Sequence, residues 1–270
     1  MSVPERHILG LSGGKDSTAL AIYMKDRVPQ MEYVFCDTQK ELPETYEYLD
    51  KLEAFLGKPV KRLNAMRGFD HYLKIYGGYL PSSRMRWCTK MLKLKPLEDF
   101  IGDDSVFSYV AIRSDEDRDG YVSTKPNIRP VYPFKEAGIA EADVYQLLND
   151  AGLGLPEYYK WRTRSGCYFC FFQRKAEWIG LRERHPDLFE LAKQYEKIDP
   201  ETGVRYTWSE RESLDEIAQP ERVAEIKRKH EEALRANAQQ LKGQRLYQIL
   251  GAALEDQDDS SEEPCLICTL

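Results

Sequence analysis

The sequence predicts an α/β fold built on a doubly wound parallel sheet, followed by a helical C-terminal part. Two observations lead to this prediction. In the first half of the chain, short apolar runs alternate with segments of helical periodicity, as they do in repeated βαβ units. After residue 157, these runs give way to mostly helical spacing. Ligands of such sheets bind at the carboxyl ends of the strands, so the segments that follow each strand are the first candidates for a site.

Each element of the prediction follows from a local pattern. Short apolar runs predict strands over residues 7–11, 31–35, 59–63 and 106–112. Helical spacing of apolar residues predicts helices over residues 17–25, 44–56, 89–101, 141–148, 176–183, 188–196 and 221–254. Gly57 is suited to cap the C-terminus of the second helix. Residues 68–83 and 114–127 have weak periodicity and are predicted as loops.

The composition is that of a globular protein. Of the 270 residues, 42% are hydrophobic and 31% are charged, which suffices to build and cover one large core. No apolar run approaches the length of a membrane-spanning helix, and the N-terminal residues lack the apolar core of a signal peptide. We therefore expect a cytosolic protein. The net charge of −6 argues against a surface that binds nucleic acid throughout.

We expect three segments along the chain. Residues 1–157 are predicted to form the α/β domain, and residues 158–254 a helical region that contains cysteines. Residues 255–270 form an acidic tail that ends in a CxxC pair. The tail is too acidic to fold by itself, so its cysteines call for a specific explanation.

The turn over residues 12–17, SGGKDS, has the features of an anion-binding loop. It follows a predicted strand and opens a helix, so the N–H groups of the first helical turn and the helix dipole favour an anion there. Gly13 and Gly14 allow close approach of the backbone. Lys15 adds a positive charge, and Ser17 adds a hydroxyl. The loop is shorter than a Walker loop. The alternative is an ordinary glycine turn in which an Asp or a Ser caps the helix.

This hexapeptide resembles the pyrophosphate loop of the N-type ATP pyrophosphatases and the related PAPS reductases, a superfamily with the Rossmann-like fold of the adenine nucleotide alpha hydrolases. The resemblance extends to about residue 175. It implies that ATP is cleaved between its α and β phosphates, with Mg²⁺ and Lys15 offsetting the charge that develops. It also implies that the residues holding the pyrophosphate are Ser12, Gly13, Gly14, Lys15, Asp16 and Ser17.

Two further polar segments follow predicted strands. Residues 35–46, FCDTQKELPETY, place Asp37 and Thr38 where they can meet a ribose or an adenine edge. This segment resembles the DTG…ET segment of PAPS reductases, although Gln39 stands where glycine is usual. Glu41 and Glu44 are explained more simply by the electrostatics of a helix start.

The third polar segment, AIRSDEDRDG over residues 111–120, resembles the G-I-R-x-D-E-S-x-x-R segment of the same superfamily. Arg113 and Arg118 are candidate phosphate contacts, and Arg113 is also a candidate catalytic residue beside Lys15 and Asp16. Three acids of the segment are candidates for holding Mg²⁺ through water, namely Asp115, Glu116 and Asp117. A solvated charged loop is the alternative.

Cysteines form the fourth feature. Six cysteines in a chain expected to be cytosolic favour metal ligands or redox thiols over structural disulfides. Cys167 and Cys170 form a CxxC pair, which fits zinc, a redox pair or an iron–sulfur site. Cys36 has no paired spacing and is predicted to lie in the core.

The segments RWCTKMLKLKP around Cys88 and GCYFC at residues 166–170 resemble the iron–sulfur segments of PAPS-reductase-like proteins, notably the ATP pyrophosphatases of DNA phosphorothioation systems. The resemblance implies a [4Fe–4S] cluster, with zinc as the alternative. The implied ligands are Cys88, Cys167, Cys170 and Cys268, although Cys265 or another group can also supply the fourth.

The terminal pair, Cys265 and Cys268, has a second interpretation as a mobile thiol that attacks a sulfonucleotide or carries persulfide sulfur. PAPS reductases use a C-terminal cysteine in a Glu-Cys-Gly-x-His context, and this tail lacks both the glycine and the histidine. The tail therefore argues against sulfonucleotide reduction.

Basic residues flank the other cysteines and alternate with aromatic residues, which suits contact with the backbone and bases of nucleic acid. An electropositive rim around an anionic cluster and ATP is the alternative. The basic residues are Arg84, Arg86, Lys90, Lys93, Lys95, Lys160, Arg162, Arg164, Arg174 and Lys175. The aromatic residues are Trp87, Tyr158, Tyr159, Trp161, Tyr168 and Phe169.

The resemblance implies an ATP pyrophosphatase that transfers AMP to a DNA backbone phosphate, after which sulfur displaces the AMP. Its implied partners are ATP, DNA, a cysteine desulfurase as sulfur donor and other phosphorothioation proteins, with no membrane. Two alternatives remain open at this point. One is a PAPS or APS reductase that produces sulfite, and the other is an iron–sulfur or zinc scaffold that binds a nucleotide without turnover.

Overall fold

A parallel sheet forms the centre of the fold in a computed structural model of the protein, which describes residues 5–117, 125–164, 166–198, 201, 203–209 and 212–240. The sheet that these residues form has five strands in the order β3-β2-β1-β4-β5, and every neighbouring pair is parallel. The strands are β1 (Arg6–Leu11), β2 (Glu32–Asp37), β3 (Val60–Asn64), β4 (Val106–Tyr109) and β5 (Ile128–Val131). The doubly wound parallel sheet predicted from the sequence is confirmed.

The helices that connect and cover the strands are α1 (Lys15–Met24), α2 (Pro43–Leu56), α3 (Phe69–Ile75), α4 (Trp87–Thr89), α5 (Lys95–Ile101), α6 (Pro133–Ala137) and α7 (Glu141–Asp150). Helices α3 and α6 were not predicted, whereas the others begin within two residues of a predicted helix or lie inside one. Helix α2 ends at Gly57, whose φ of 63° is the left-handed conformation that glycine adopts most readily. The predicted C-cap is therefore confirmed.

Alternate residues of the strands pack on opposite faces of the sheet. Leu9 and Phe35 join one buried cluster with residues of α1, α2 and α7. Ile8 and Cys36 join a second buried cluster with residues of α5. Burial raises the pKa of the Cys36 thiol to about 11, and its Sγ donates to the Lys93 carbonyl at 3.3 Å. Strands buried on both faces explain the continuous apolar runs, and Cys36 lies in the core as predicted.

The structure differs from the sequence prediction at several places. Strand β5 was not predicted, because it is short and carries Pro130, which an edge strand tolerates. The predicted loop over residues 68–83 contains helix α3, and the predicted strand over residues 106–112 pairs only as far as Tyr109. The predicted helix over residues 89–101 contains a π-helical turn, Lys90–Leu94, between α4 and α5. Such turns are uncommon and often lie near functional sites.

The described residues divide into two compact units. The first contains the whole sheet and draws on the stretches Met1–Phe69 and Trp87–Glu157. The second draws on Asp70–Arg86 and on the chain from Tyr158 onward. Within the described residues, no helix combines the length and the apolar composition needed to cross a bilayer.

The second unit is mainly helical, which confirms the predicted helical C-terminal part. Its elements from Tyr158 onward are α8 (Lys175–Arg184), α9 (Pro186–Lys193), β6 (Lys197–Ile198), β7 (Arg205–Tyr206), α10 (Leu214–Ile217) and α11 (Pro220–Gln240). Buried aromatic side chains hold it together, with Phe169 and Trp208 stacked at 5.0 Å between ring centroids and Trp178 at 6.1 Å from Trp208. The part of the predicted last helix beyond residue 240 and the acidic tail lie outside the described residues.

Candidate functional site

The turn between β1 and α1 is closed by hydrogen bonds among its own residues. The Ser12 N–H donates to Ser17 Oγ at 3.1 Å, and the two hydroxyls lie 3.0 Å apart. Ser17 Oγ also donates to the Gly14 carbonyl at 3.3 Å, and the Ser17 side chain is buried. The Ser17 hydroxyl therefore shapes the turn from inside.

The two glycines of this turn have different structural roles. Gly13 has a φ of +73°, and a Cβ at this position would lie 2.6 Å from Cγ2 of Thr45 in α2. Gly14 is the N-cap of α1 with φ −98° and ψ 172°, a conformation that any residue can adopt. The structure therefore requires glycine at position 13, whereas the backbone angles at position 14 do not. The alternative in which an Asp or Ser caps this helix is wrong, because Gly14 occupies the cap.

Charged side chains from three segments meet beside the turn. Lys15 Nζ lies 3.0 Å from Glu141 Oε1 at the start of α7 and 3.6 Å from Asp16 Oδ2. Arg113 Nη1, from the segment after β4, lies 3.0 Å from both Asp16 Oδ1 and Glu116 Oε1. Its Nε donates to Asp115 Oδ1 at 2.9 Å. The predicted catalytic residues Lys15, Asp16 and Arg113 are thus brought together, and Glu141 joins them.

Both cations at this site are largely shielded from solvent. The side chains of Lys15 and Arg113 are only 7% and 8% exposed. Burial opposes the charge of Arg113, but the carboxylates of Asp16, Glu116 and Glu141 outweigh it and raise the Arg113 pKa further. Arg113 is therefore a permanent, fixed positive charge.

Carboxylates surround both cations. Those of Asp16, Asp115, Glu116 and Glu141 lie within ion-pair distance of Lys15 or Arg113. Within the described residues, no three His, Cys, Asp or Glu side chains form a group that could hold a metal ion. The carboxylates are oriented towards Lys15 and Arg113. The involvement of Glu141 was missed in the sequence, where an acid in a first helical turn indicates only favourable helix electrostatics.

The residues predicted to contact a ribose or an adenine lie in a separate, internally bonded loop after β2. Asp37 Oδ1 accepts from the Gln39 N–H and from the Tyr46 hydroxyl, each at 2.8 Å. Thr38 Oγ1 donates to Glu41 Oε1 at 2.7 Å, and both residues are buried. Gln39 is the one non-glycine residue with positive φ in the described chain, at 60°. This left-handed conformation is the one that glycine adopts most readily.

Two of the predicted cluster ligands lie in the second unit, in the turn formed by residues 167–170. The Cys170 N–H donates to the Cys167 carbonyl at 3.3 Å, and the Gln173 N–H donates to the Cys170 carbonyl at 3.0 Å. Nη2 of Arg162 donates to the Cys167 carbonyl at 2.6 Å. Arg162 is fully buried, and its Nε and Nη1 have no hydrogen-bond partner among the described residues. A buried cation with unused donors beside a CxxC turn suits a centre that carries negative charge.

Cys88 belongs to the first unit and lies in α4, directly before the π-helical turn; its side chain is partly exposed. The remaining predicted ligand, Cys268, lies outside the described residues, as do Cys265 and Arg118.

Part of the predicted basic and aromatic surface lies in the interior, although most of its basic residues are exposed or half-buried. Arg162, Tyr158, Tyr168, Phe169 and Trp87 are all buried, so they cannot meet nucleic-acid bases or phosphates from solvent. These five residues pack inside the protein, so their alternation in the sequence does not indicate contact with nucleic acid. The interpretation as a nucleic-acid surface is therefore wrong for them.

The segments described above lie within a region that matches a known protein family. The family model described as the phosphoadenosine phosphosulfate reductase domain matches residues 6–170. The chain belongs to this family. The matched region begins at β1 and ends at Cys170, so it includes the SGGKDS turn, the Arg113 segment and the CxxC turn.

Three relatives of this PAPS reductase family member are described as uncharacterised proteins. The chain is 29% identical to protein MJ0066 of Methanocaldococcus jannaschii, over 68% of this chain and 40% of that protein. It is 26% identical to protein MJ0973 of the same organism, over 81% of this chain and 55% of that protein. It is 24% identical to a 37.8 kDa protein of Escherichia phage 186, over 71% of this chain and 75% of that protein. The chain thus spans about half the length of the two archaeal relatives.

Two solved structures resemble the chain at 16% sequence identity. The phosphoadenylyl-sulfate reductase of Candida auris in its phosphate complex matches 59% of this chain and 78% of its own, with a TM-score of 0.46. The U34-tRNA thiolase NcsA of Methanococcus maripaludis with its [4Fe-4S] cluster matches 71% of this chain and 70% of its own, with a TM-score of 0.42.

Proposed function

We propose that this member of the PAPS reductase family is an ATP pyrophosphatase, which cleaves ATP between the α and β phosphates. The observation that carries the proposal is the SGGKDS turn at the carboxyl end of β1, with the enclosed cations Lys15 and Arg113 beside it. A helix N-terminus capped by a glycine, next to two fixed positive charges, is suited to an oxyanion.

In the proposed reaction, an oxygen of the acceptor attacks the α phosphorus of ATP, and pyrophosphate leaves. The N–H groups at the start of α1 and the ammonium of Lys15 stabilise the charge that builds up on the leaving group. Arg113, held by carboxylates on two sides, contributes a positive charge that does not need to reorganise during the reaction. A sulfur donor then displaces AMP from the acceptor.

The charge at the site explains why the nucleotide would enter with Mg²⁺. The carboxylates around Lys15 and Arg113 repel a triphosphate unless it brings positive charge of its own. Mg²⁺ is bound in proteins by one or two carboxylates together with substrate phosphates. Asp16 and Glu116 would supply those carboxylates, so we expect activity to require the divalent cation.

For the acceptor, we propose a DNA backbone phosphate, with a cysteine desulfurase as the sulfur donor. The support is the resemblance of the segments around Cys88 and Cys167 to those of DNA phosphorothioation proteins. The same resemblance supports a [4Fe–4S] cluster on Cys88, Cys167, Cys170 and Cys268, and the buried charge of Arg162 beside the CxxC turn is compatible with it. When bound, the cluster would relay sulfur or stabilise the structure. Iron and zinc counts on anaerobically purified protein distinguish the two metals.

The second candidate function is reduction of PAPS or APS to sulfite, which the family description favours. It uses the same nucleotide fold but needs a nucleophilic cysteine from the C-terminal tail and no ATP turnover. The tail lacks the glycine and the histidine that accompany this cysteine in PAPS reductases.

The test is pyrophosphate release from ATP by the full chain, with and without Mg²⁺. We expect Lys15→Ala to reduce release at least about a hundredfold, since one fixed charge donor in such a site is worth about 3 kcal/mol. The control is Lys51→Ala, which removes an exposed lysine on α2 and should leave release unchanged. Full activity of Lys15→Ala would contradict the proposal. Sulfite release from PAPS that is lost in Cys268→Ser would instead identify a reductase.

A further inference from the structure

Lys15 is already engaged by a carboxylate from another helix. Its Nζ lies 3.0 Å from Glu141 Oε1, closer than the 3.6 Å to Asp16 Oδ2. The Tyr145 ring, one turn further along α7, lies 6.0 Å from the same ammonium. With a side chain only 7% exposed, Lys15 has little freedom to leave this pair for solvent.

The Glu141 carboxylate is held in place by the start of α7. Glu141 is the first residue of this helix, where the helix dipole favours a negative charge. Its N–H donates to Asp115 Oδ2 at 3.3 Å, and Asp143 caps the helix by accepting from the Ala140 N–H at 2.9 Å. Val144, on the next turn, is buried in the cluster that also contains residues of α1. The pair therefore joins two helices with fixed backbones.

A carboxylate and a phosphate oxygen compete for the same ammonium when they approach it from the same enclosed space. Each carries negative charge, so a phosphate within hydrogen-bond distance of Lys15 is repelled by the carboxylate a few ångströms away. Burial strengthens both the existing pair and this repulsion, because solvent screens them less.

We propose that Glu141 acts as a latch on Lys15, one that a pyrophosphate group must displace when it binds. The inference rests on the proposed phosphate-binding role of the SGGKDS turn. The Glu141 carboxylate lowers the affinity of the site for a free anion. It also keeps the Lys15 ammonium oriented and neutralised until a substrate with enough charge binds. Glu141 is a positioning residue in this scheme, since it acts through Lys15.

The test measures binding of inorganic pyrophosphate with Mg²⁺ to the full chain by isothermal titration calorimetry. Glu141→Gln keeps the size of the side chain and removes the charge, and we expect binding about tenfold tighter than in the wild type. The control is Asp143→Asn, which removes one carboxylate charge from the same helical turn, where that carboxylate accepts from the Ala140 N–H. We expect the control to change affinity less than threefold, which separates the latch from a general loss of negative charge.

Each outcome decides one question. Equal affinity in the two variants, or weaker binding in Glu141→Gln, overturns the latch while leaving the phosphate site intact. Absence of binding in all three proteins refutes the phosphate-binding role itself. If Glu141→Gln fails to fold, Glu141→Asp replaces it, because the shorter side chain keeps the charge but draws the carboxylate back from Lys15. The latch then requires tighter binding in Glu141→Asp, and unchanged binding contradicts it.

Discussion

Replacement of Gly13 by alanine tests whether the SGGKDS turn depends on this glycine. The residue has a φ of +73°, and an added Cβ would lie 2.6 Å from Thr45 Cγ2. The left-handed backbone costs alanine about 1–2 kcal/mol. The methyl contact adds about 1–3 kcal/mol of overpacking, since Thr45 is fully buried. Subtracting about 0.5–1 kcal/mol for the reduced entropy of the unfolded chain leaves a net loss of about 1–4.5 kcal/mol.

The matched control is Gly14→Ala, because Gly14 has an extended backbone that accepts alanine. Urea unfolding followed by circular dichroism should give Gly13→Ala a free energy of unfolding clearly below that of Gly14→Ala. The double variant Gly13→Ala/Thr45→Ser lacks the contacting methyl group. It should therefore recover the part of the lost unfolding free energy that overpacking causes, but not the part that the left-handed backbone causes. If Gly13→Ala and Gly14→Ala are equally stable, the reasoning about this turn is refuted.

Two further predictions concern buried groups. The Cys36 pKa of about 11 lies above its ordinary value of 9.0, so its contribution to stability is complete below pH 9 and is lost as the pH rises from 9 towards 11. The free energy of unfolding of Cys36→Ala, measured in urea, should therefore fall about 2 kcal/mol less across this range than that of the wild type, and parallel curves would contradict the prediction. Arg162→Met should leave the metal-free protein at least as stable as the wild type, because it removes an incompletely paired buried charge. The same variant should retain less iron after anaerobic reconstitution, and undiminished iron content would contradict a role for Arg162 beside the centre.

Much of the sheet could be predicted from the sequence because its signals are local. Strand β1, helix α1 and strand β2 each carry an apolar pattern and a turn residue that need no distant partner to be recognised. Strand β5 lacked such a signal, because a short segment with Pro130 becomes a strand only through pairing with β4. Helix α3 was hidden for a similar reason, since its seven residues are too few to show a clear period.

The candidate site was harder to predict from the sequence, because its charged residues pair with residues that are far away in the chain. Arg113 and Asp16 are 97 positions apart in the chain, and only the parallel sheet brings their segments together. Arg162 illustrates the same difficulty for the prediction of burial. Its sequence neighbours suggested a basic surface, whereas the fold encloses the guanidinium completely. Periodicity cannot show such burial in a segment without regular structure.

The loop after β2 shows that a polar residue at the end of a strand can stabilise the backbone of a turn as well as contact a ligand. Asp37 was predicted to meet a nucleotide, yet its carboxylate accepts from the Gln39 N–H and the Tyr46 hydroxyl. These bonds hold Gln39 at a φ of 60°, which is costly for a residue with a Cβ. Asp37 therefore already stabilises the strained turn, whereas Lys15 and Arg113 are ion-paired with carboxylates whose place a phosphate oxygen can take. Exchangeable partners of this kind are a better sign of a ligand contact than a polar residue at the end of a strand.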